Sequence, residues 1–420
     1  MLVSYSNVLN LKSHLINLST TIKNTMKLRF LFNNPFYLSA LSFIVVLMIY
    51  SLGWSTLYPR LSLSVMLFLL VLFSYYISLG TLFNRYLTPV RLNSEKGIPR
   101  AMFVFFYLSW FLVFLYNGSF PLVELIKNPL GEELDLIPSF YVLVYSFTCF
   151  FSVFLYQNYR MTGSSIVLSH FIISLLPFIL MVSRIGTMTT LLSVLFVHLY
   201  TLKRLKKRTV LLVLTFVFTI LYLFGVLGNI RSQVFADNTL AQETKATSSF
   251  LASPIPKEYY WTYIYGASPL ANFQNIINKT EVQIEEFDYT NFLIYYGFPD
   301  VVTNRLESRF NISKPYPENK FIMDFLNVCT IYTNAYINLG WLGPYLVLAS
   351  YSFFLIIYIF ALNRESEYYL TGLCSISTIF FFGIFDNILM FSAVSFQLFF
   401  PLLFGHLLKT GDNELINDVT

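Results

Sequence analysis

The chain has 420 residues and a mass of 48.8 kDa, a length that ordinarily holds two or three soluble domains. Its composition excludes them: 56 % of residues are hydrophobic, 19 % aromatic and 12 % charged, with a mean hydropathy of +0.63, which leaves too little charge to cover a water-facing surface. The net charge of +5 is a mild basic bias, and disorder, secretion and a soluble enzyme are excluded in favour of an all-α polytopic membrane protein.

In chain order, residues 1–35 form a polar, weakly amphipathic segment with no apolar core of signal-peptide length. Met26, just ahead of Lys27-Leu28-Arg29, is a plausible second start. Apolar runs long enough to cross a bilayer predict ten helices, near 36–53, 61–83, 100–117, 137–156, 164–183, 186–202, 209–228, 340–362, 369–386 and 388–408. The last two form an almost continuous apolar run, divided at Asp386-Asn387 because a charge there would otherwise lie deep in lipid. The expected organisation is helices one to seven over 36–228, a large extracytoplasmic loop over 229–329, re-entry and helices eight to ten over 330–408, and a tail over 409–420.

Basic residues set the orientation. Lys203-Arg204-Leu205-Lys206-Lys207-Arg208 belongs in the cytoplasm, which places both termini there as well. That side then carries 16 Lys and Arg against 6 Asp and Glu, whereas the opposite short loops contain only Arg60, Lys127 and Arg184. The polar chemistry is thereby concentrated in one outer loop, away from nucleotides, and no phosphate-cradling Gly-rich motif occurs. An enzyme of this kind needs a substrate that arrives already activated.

His14, His170, His198 and His406 all map to the inner half, where packing or snorkelling accounts for them. Cys149, Cys329 and Cys374 have no metal-ligand spacing. Arg184, in the short Ser183-Arg184-Ile185-Gly186 turn, suits bidentate phosphate contact at headgroup level. Arg231 follows the outer end of helix seven, and Arg305 and Arg309 share a helix face at i, i+4; a solvated surface explains the latter pair equally well. Tyr260, Trp261, Tyr263 and Tyr265 either anchor at the interface or stack on sugar rings. Candidate bases are Glu258, Asp300, Glu307, Glu318 and Asp324 in the loop, with Asp386 the one intramembrane acid.

Three features together resemble the Wzy-type O-antigen and capsule polymerases. They are the Val182-Ser183-Arg184-Ile185-Gly186-Thr187 turn, the segment Tyr263-Ile264-Tyr265-Gly266-Ala267-Ser268-Pro269-Leu270-Ala271-Asn272, and Asn334-Ala335-Tyr336-Ile337-Asn338-Leu339-Gly340-Trp341-Leu342-Gly343. The resemblance implies a GT-C-like polymerase and ligase architecture in the bacterial cytoplasmic membrane. It also implies an undecaprenyl-pyrophosphate-linked oligosaccharide as substrate, joined into O-antigen or capsular polysaccharide at the outer face. Arg184 and Arg231 would hold pyrophosphate, with a loop carboxylate as base and no cofactor or metal required. The bilayer is the obligatory surrounding, nucleic acid is not a partner, and a chain-length regulator and other polysaccharide-assembly proteins stay open. The ligase branch carries a histidine in its outer loop, which is missing here. A lipid-linked oligosaccharide flippase is the rival from a different class; it would be expected to carry charge within the bundle and internal repeats.

Overall fold

The computed structural model describes residues 34–87, 97–127, 138–202, 207–231, 239–280, 282–310 and 320–406. The longer helices are α1 (Pro35–Ser51), α2 (Leu63–Phe83), α3 (Arg100–Asn117), α4 (Pro138–Thr162), α5 (Ser165–Leu180), α6 (Arg184–Thr201) and α7 (Lys207–Arg231). They continue as α8 (Tyr259–Lys279), α9 (Tyr289–Gly297), α10 (Asp300–Phe310), α11 (Thr333–Leu339), α12 (Leu342–Ala361) and α13 (Tyr369–Phe381), with α14 (Ser392–His406) last. No strand occurs among the described residues, only a single antiparallel bridge between Ser55 and Ala246.

Within the described residues, each of the ten apolar segments expected from the sequence contains a helix. Among the described residues four stretches are long and apolar enough to cross a membrane: Leu63–Leu87, Arg100–Glu124, Ser139–Thr162 and Leu342–Ala361. Shorter apolar helices include Pro35–Ser51, Ser165–Leu180, Tyr369–Ile384 and Ser392–His406.

The outer surface of the bundle shows why lipid is its solvent. On α2 the buried stripe Val65, Phe68, Leu69, Leu72 and Tyr76 recurs at helical spacing, yet the opposite face is equally apolar, with Leu63, Leu67 and Leu70 all exposed. Such a surface is stable only against hydrocarbon. The chain is therefore an all-α membrane protein.

The interior uses another device. Helix α13 is buried continuously from Tyr369 to Phe380, and its Thr371, Gly372, Ser375, Ser377 and Thr378 are small enough for neighbours to approach closely. Three of their hydroxyls are met locally or across helices: Thr371 Oγ1 donates to Gln157 Oε1 at 2.7 Å, Ser377 Oγ donates to the Leu373 carbonyl at 2.7 Å, and Ser193 Oγ of α6 donates to Thr378 Oγ1 at 2.8 Å; the Ser375 hydroxyl is buried without a partner.

Polar side chains near helix termini bond across long separations. Asn34 Nδ2 reaches the Gly80 carbonyl, Gln157 Nε2 the Glu367 carbonyl, Arg160 Nε the Thr201 hydroxyl, and Asn363 Nδ2 the Gly405 carbonyl. Ser55 joins Thr244, Ser62 N–H donates to Gln274 Oε1, and Arg305 Nη2 donates to Ser139 Oγ at 3.2 Å.

The stretch between α7 and α12 is mostly helical and folds back onto the bundle rather than standing off as a loop. Gly225 of α7 lies so close to the start of α8 that an added Cβ would sit 2.0 Å from the Glu258 carbonyl oxygen. Beyond it, Tyr332 inserts between α1 and α2, with its ring 5.7 Å from Phe43 and edge-on to Phe68 at 4.9 Å. The neighbouring Ile331 N–H donates to the Gly383 carbonyl at 2.9 Å. Two irregular segments, one before α11 and one between α13 and α14, thus satisfy each other's backbone inside the protein, the condition under which non-helical chain survives among membrane helices.

Candidate functional site

Helix α13 stops where the sequence splits its long apolar run. Short 3-10 turns over Phe382–Ile384 and Ile388–Met390 flank Asp386-Asn387. Asp386 N–H donates to the Phe382 carbonyl at 3.1 Å, and Asp386 Oδ1 accepts the Asn387 N–H at 2.7 Å. These local bonds replace the helical ladder and turn the Asp386 side chain into a cavity of about 170 Å³.

Asp300, Glu307, Asn334 and Asn387 line the same cavity, with Tyr295 and Tyr296 in its wall. Asp300 opens α10, a favourable place for a carboxylate beside the unpaired N–H groups of the first turn. Its Oδ1 accepts from Val301 N–H at 2.7 Å, from Ser392 N–H at 3.0 Å and from the Ser392 hydroxyl. Glu307, two turns further along α10, accepts the Tyr295 hydroxyl. Asn387 Oδ1 accepts the Tyr351 hydroxyl of α12 at 2.6 Å, while the Asn334 carboxamide oxygen is buried without a hydrogen-bond partner. Burial, reinforced by the Tyr351 charge, holds the Tyr296 hydroxyl well above its ordinary range, and that hydroxyl donates to the Ile331 carbonyl at 2.7 Å. Tyr296 is consequently a neutral donor, and the acid–base capacity of the cavity rests on its carboxylates. Among the described residues no three His, Cys, Asp or Glu side chains converge to hold a metal ion.

Of the sequence candidates, Asp300 and Asp386 share this cavity with Glu307, although 86 positions separate the two aspartates. Arg305 and Arg309 are exposed on α10, the helix that carries Asp300 and Glu307. Arg184 is the first residue of α6 and is exposed; Ser183 caps the helix and shares a hydrogen bond with Tyr145 of α4. Arg305 bonds to Ser139 of α4, and Ser183, the residue before Arg184, bonds to Tyr145 of the same helix, about 9 Å further along its axis. The residue before the turn, Val182, has φ +53°, a left-handed conformation that a β-branched side chain adopts only under strain.

The remaining candidates lie elsewhere. Glu258 stands just before α8, against Gly225, and does not line the cavity. Asp324 is exposed outside it. Arg231 closes α7, but its side chain lies outside the described residues, as does all of Glu318.

The aromatic group differs most from a sugar platform. Tyr260, Trp261 and Tyr263 are 3 %, 7 % and 2 % exposed, because α8 turns them inward against Trp54, Tyr58 and Phe250 rather than outward. Trp54 stacks on Phe250 at 4.5 Å, Tyr260 on Tyr263 at 5.9 Å, and Trp261 on the half-buried Tyr265 at 6.0 Å. Trp261 Nε1 donates to Asn229 Oδ1 at 2.6 Å. Their faces are spent on one another, so the group builds core.

Sequence reading missed Ser392 and Asn334 as site residues. Asn334 stood inside a quoted segment; Ser392 carried no local signal, being one hydroxyl among many in apolar helices. Comparisons with protein families, curated proteins and solved structures find no match to this chain.

Proposed function

We propose that this chain is a membrane glycosyltransferase that joins undecaprenyl-pyrophosphate-linked oligosaccharide repeat units into O-antigen or capsular polysaccharide. The observation that carries this reading is the acid-lined cavity at the break between α13 and α14, flanked by α10 with its exposed arginines. In the proposed reaction a hydroxyl of the acceptor unit attacks the anomeric carbon of the donor glycan. The new C–O bond forms as the bond to pyrophosphate breaks, and undecaprenyl pyrophosphate leaves with the electron pair. Asp386 takes the hydroxyl proton, and Arg184 and Arg305 face the pyrophosphate, whose existing charge makes positioning and electrostatics the main demands. The strained Val182 beside Arg184 supports a functional turn there.

The same reading takes all ten apolar helices as spans of the bacterial cytoplasmic membrane in a GT-C-like architecture. It places both termini in the cytoplasm and the cavity toward the outer face.

A lipid-linked oligosaccharide flippase is the second reading, and the meeting of two irregular segments at Ile331 and Gly383 favours it, since transporters use broken helices near their sites. One experiment separates them: surface glycan length, by gel, in a deletion strain complemented with wild type or Asp386→Asn. Core capped by a single repeat unit on deletion supports the polymerase, whereas bare core moves the flippase ahead.

A further inference from the structure

Beside the acid-lined cavity runs a second, mainly apolar groove of about 440 Å³ along α12 and α14. Tyr296 and Met390 belong to the walls of both. Along α12 the groove extends from Ser350 to Ala361, about 16 Å of helix. Its floor is made of Tyr351 and Tyr358, both nearly fully buried. Their hydroxyls are drawn off the groove, Tyr351 to Asn387 Oδ1 at 2.6 Å and Tyr358 to the Leu398 carbonyl at 3.0 Å, which leaves Ser350 and Ser395 as the hydroxyls of its wall. The rims, Ile357 and Phe399, are 50 % and 57 % exposed, leaving one long side open to the bilayer.

We propose that this groove seats the single polyprenyl chain of the lipid-linked substrate, entering sideways from the membrane, with Tyr296 and Met390 at the junction between chain and head group. The inference rests on the proposed function and adds to it the route and register of the lipid. Three features select this occupant. The groove is a single lane along α12 and α14, closed at its head by Tyr296, Gly297 and Pro299, which fits one chain rather than the paired chains of a phospholipid. Its inner end opens into carboxylates, carboxamides and tyrosines, groups that hydrogen-bond sugar hydroxyls. That end also lies beside Tyr351, the tenth residue of the 20-residue α12, so a lipid filling the groove brings its head group into the protein, whereas a bulk lipid keeps its head at the interface.

The test uses the purified full chain in detergent and native mass spectrometry, with undecaprenyl phosphate and dioleoyl phosphatidylglycerol as probes. Ile357→Trp, and independently Ser350→Trp should the first variant lose its fold, fill the groove. Met48→Trp on α1, 64 % exposed, is the lipid-facing control. The expected result is about tenfold weaker retention of undecaprenyl phosphate by the groove variants, the effect of one bulky obstruction in a packed apolar site, with phosphatidylglycerol retention and the control unchanged. Undiminished retention of undecaprenyl phosphate in both groove variants overturns the groove assignment and leaves the polymerase reading standing. Parallel loss of phosphatidylglycerol shows an ordinary lipid crevice and overturns it too. A groove that behaves as expected in a protein whose deletion leaves bare core retains the lipid route but removes the polymerase chemistry.

Discussion

Asp300 and Ser392, 92 positions apart, are joined by two hydrogen bonds onto one carboxylate oxygen, from the Ser392 backbone N–H at 3.0 Å and from its hydroxyl. The pair ties the start of α10 to the start of α14 and so closes the cavity over the helix break. Asp300→Ala and Ser392→Ala are each expected to lower the melting temperature of the detergent-solubilised protein. A double-mutant cycle should give a coupling of about 1 to 3 kcal/mol. Additive effects would show that the contact contributes nothing of its own.

The three donors to Asp300 all fall on its Oδ1, and the proposed reaction takes Asp386 as its base. Asp386→Asn keeps the side chain's shape and its bond to the Asn387 N–H while removing the base. It should reduce polymerisation about a hundredfold or more with protein levels intact, whereas Asp324→Asn, exposed and outside the cavity, should leave glycan length unchanged. Normal long chains from a well-expressed Asp386→Asn protein would remove this residue from the mechanism.

The arginines separate by position. Arg184 stands two residues after the strained Val182 and Arg305 bonds to Ser139; each changed to alanine should shorten the glycan, with a loss of about tenfold to a hundredfold in rate for one removed charge-assisted contact. Arg309→Ala should be milder. Equal effects of all three in a glycan-length assay would point to general surface charge instead.

Two glycines mark contacts that no side chain fits. A Cβ on Gly343 would lie 2.0 Å from the Ala335 carbonyl oxygen, and one on Gly225 equally close to that of Glu258. The obstacle in both cases is backbone, which cannot rotate aside. Gly343→Ala and Gly225→Ala are each expected to destabilise the protein by about 1 to 3 kcal/mol, visible as a lower melting temperature; Gly97→Ala, with open space around it, serves as the control.

Alkaline stability should report on the aromatic core. Burial pushes the Tyr263 hydroxyl from 10.0 to about 12, with the Tyr260 charge adding to it and hydrogen bonding at Ser55 opposing it. Between those values the folded chain holds a proton that the unfolded chain has released, so stability is intact below about pH 10 and declines toward pH 12. Tyr263→Phe should flatten that decline in a thermal-unfolding series while lowering neutral-pH stability by about 1 kcal/mol for the lost hydrogen bond with Ser55 N–H. An unchanged alkaline slope would exclude Tyr263 as its source.

The helical pattern was legible in sequence because hydrophobicity acts locally. Ten apolar segments and the break at Asp386-Asn387 emerge from runs of side chains and the cost of leaving a charge in hydrocarbon, whereas Arg184, expected in a turn with the helix starting at 186, is the first residue of α6. The aromatic run from Tyr259 to Tyr265 was misleading for the same reason. Its residue types suit an interface, a sugar or a core equally, and only the inward turn of α8 against Trp54 and Phe250 made it core.

The amino-acid sequence by itself determined that this is an all-α membrane protein and where its helices break, since those outcomes follow from each segment's own transfer energy. Only the tertiary structure decided that Asp300, Glu307, Asn334 and Asp386 share one cavity and that an apolar groove adjoins it at Tyr296 and Met390. Such meetings depend on how helices pack across long separations, and a lone carboxylate or serine in a sequence carries no mark of the distant partner that completes it.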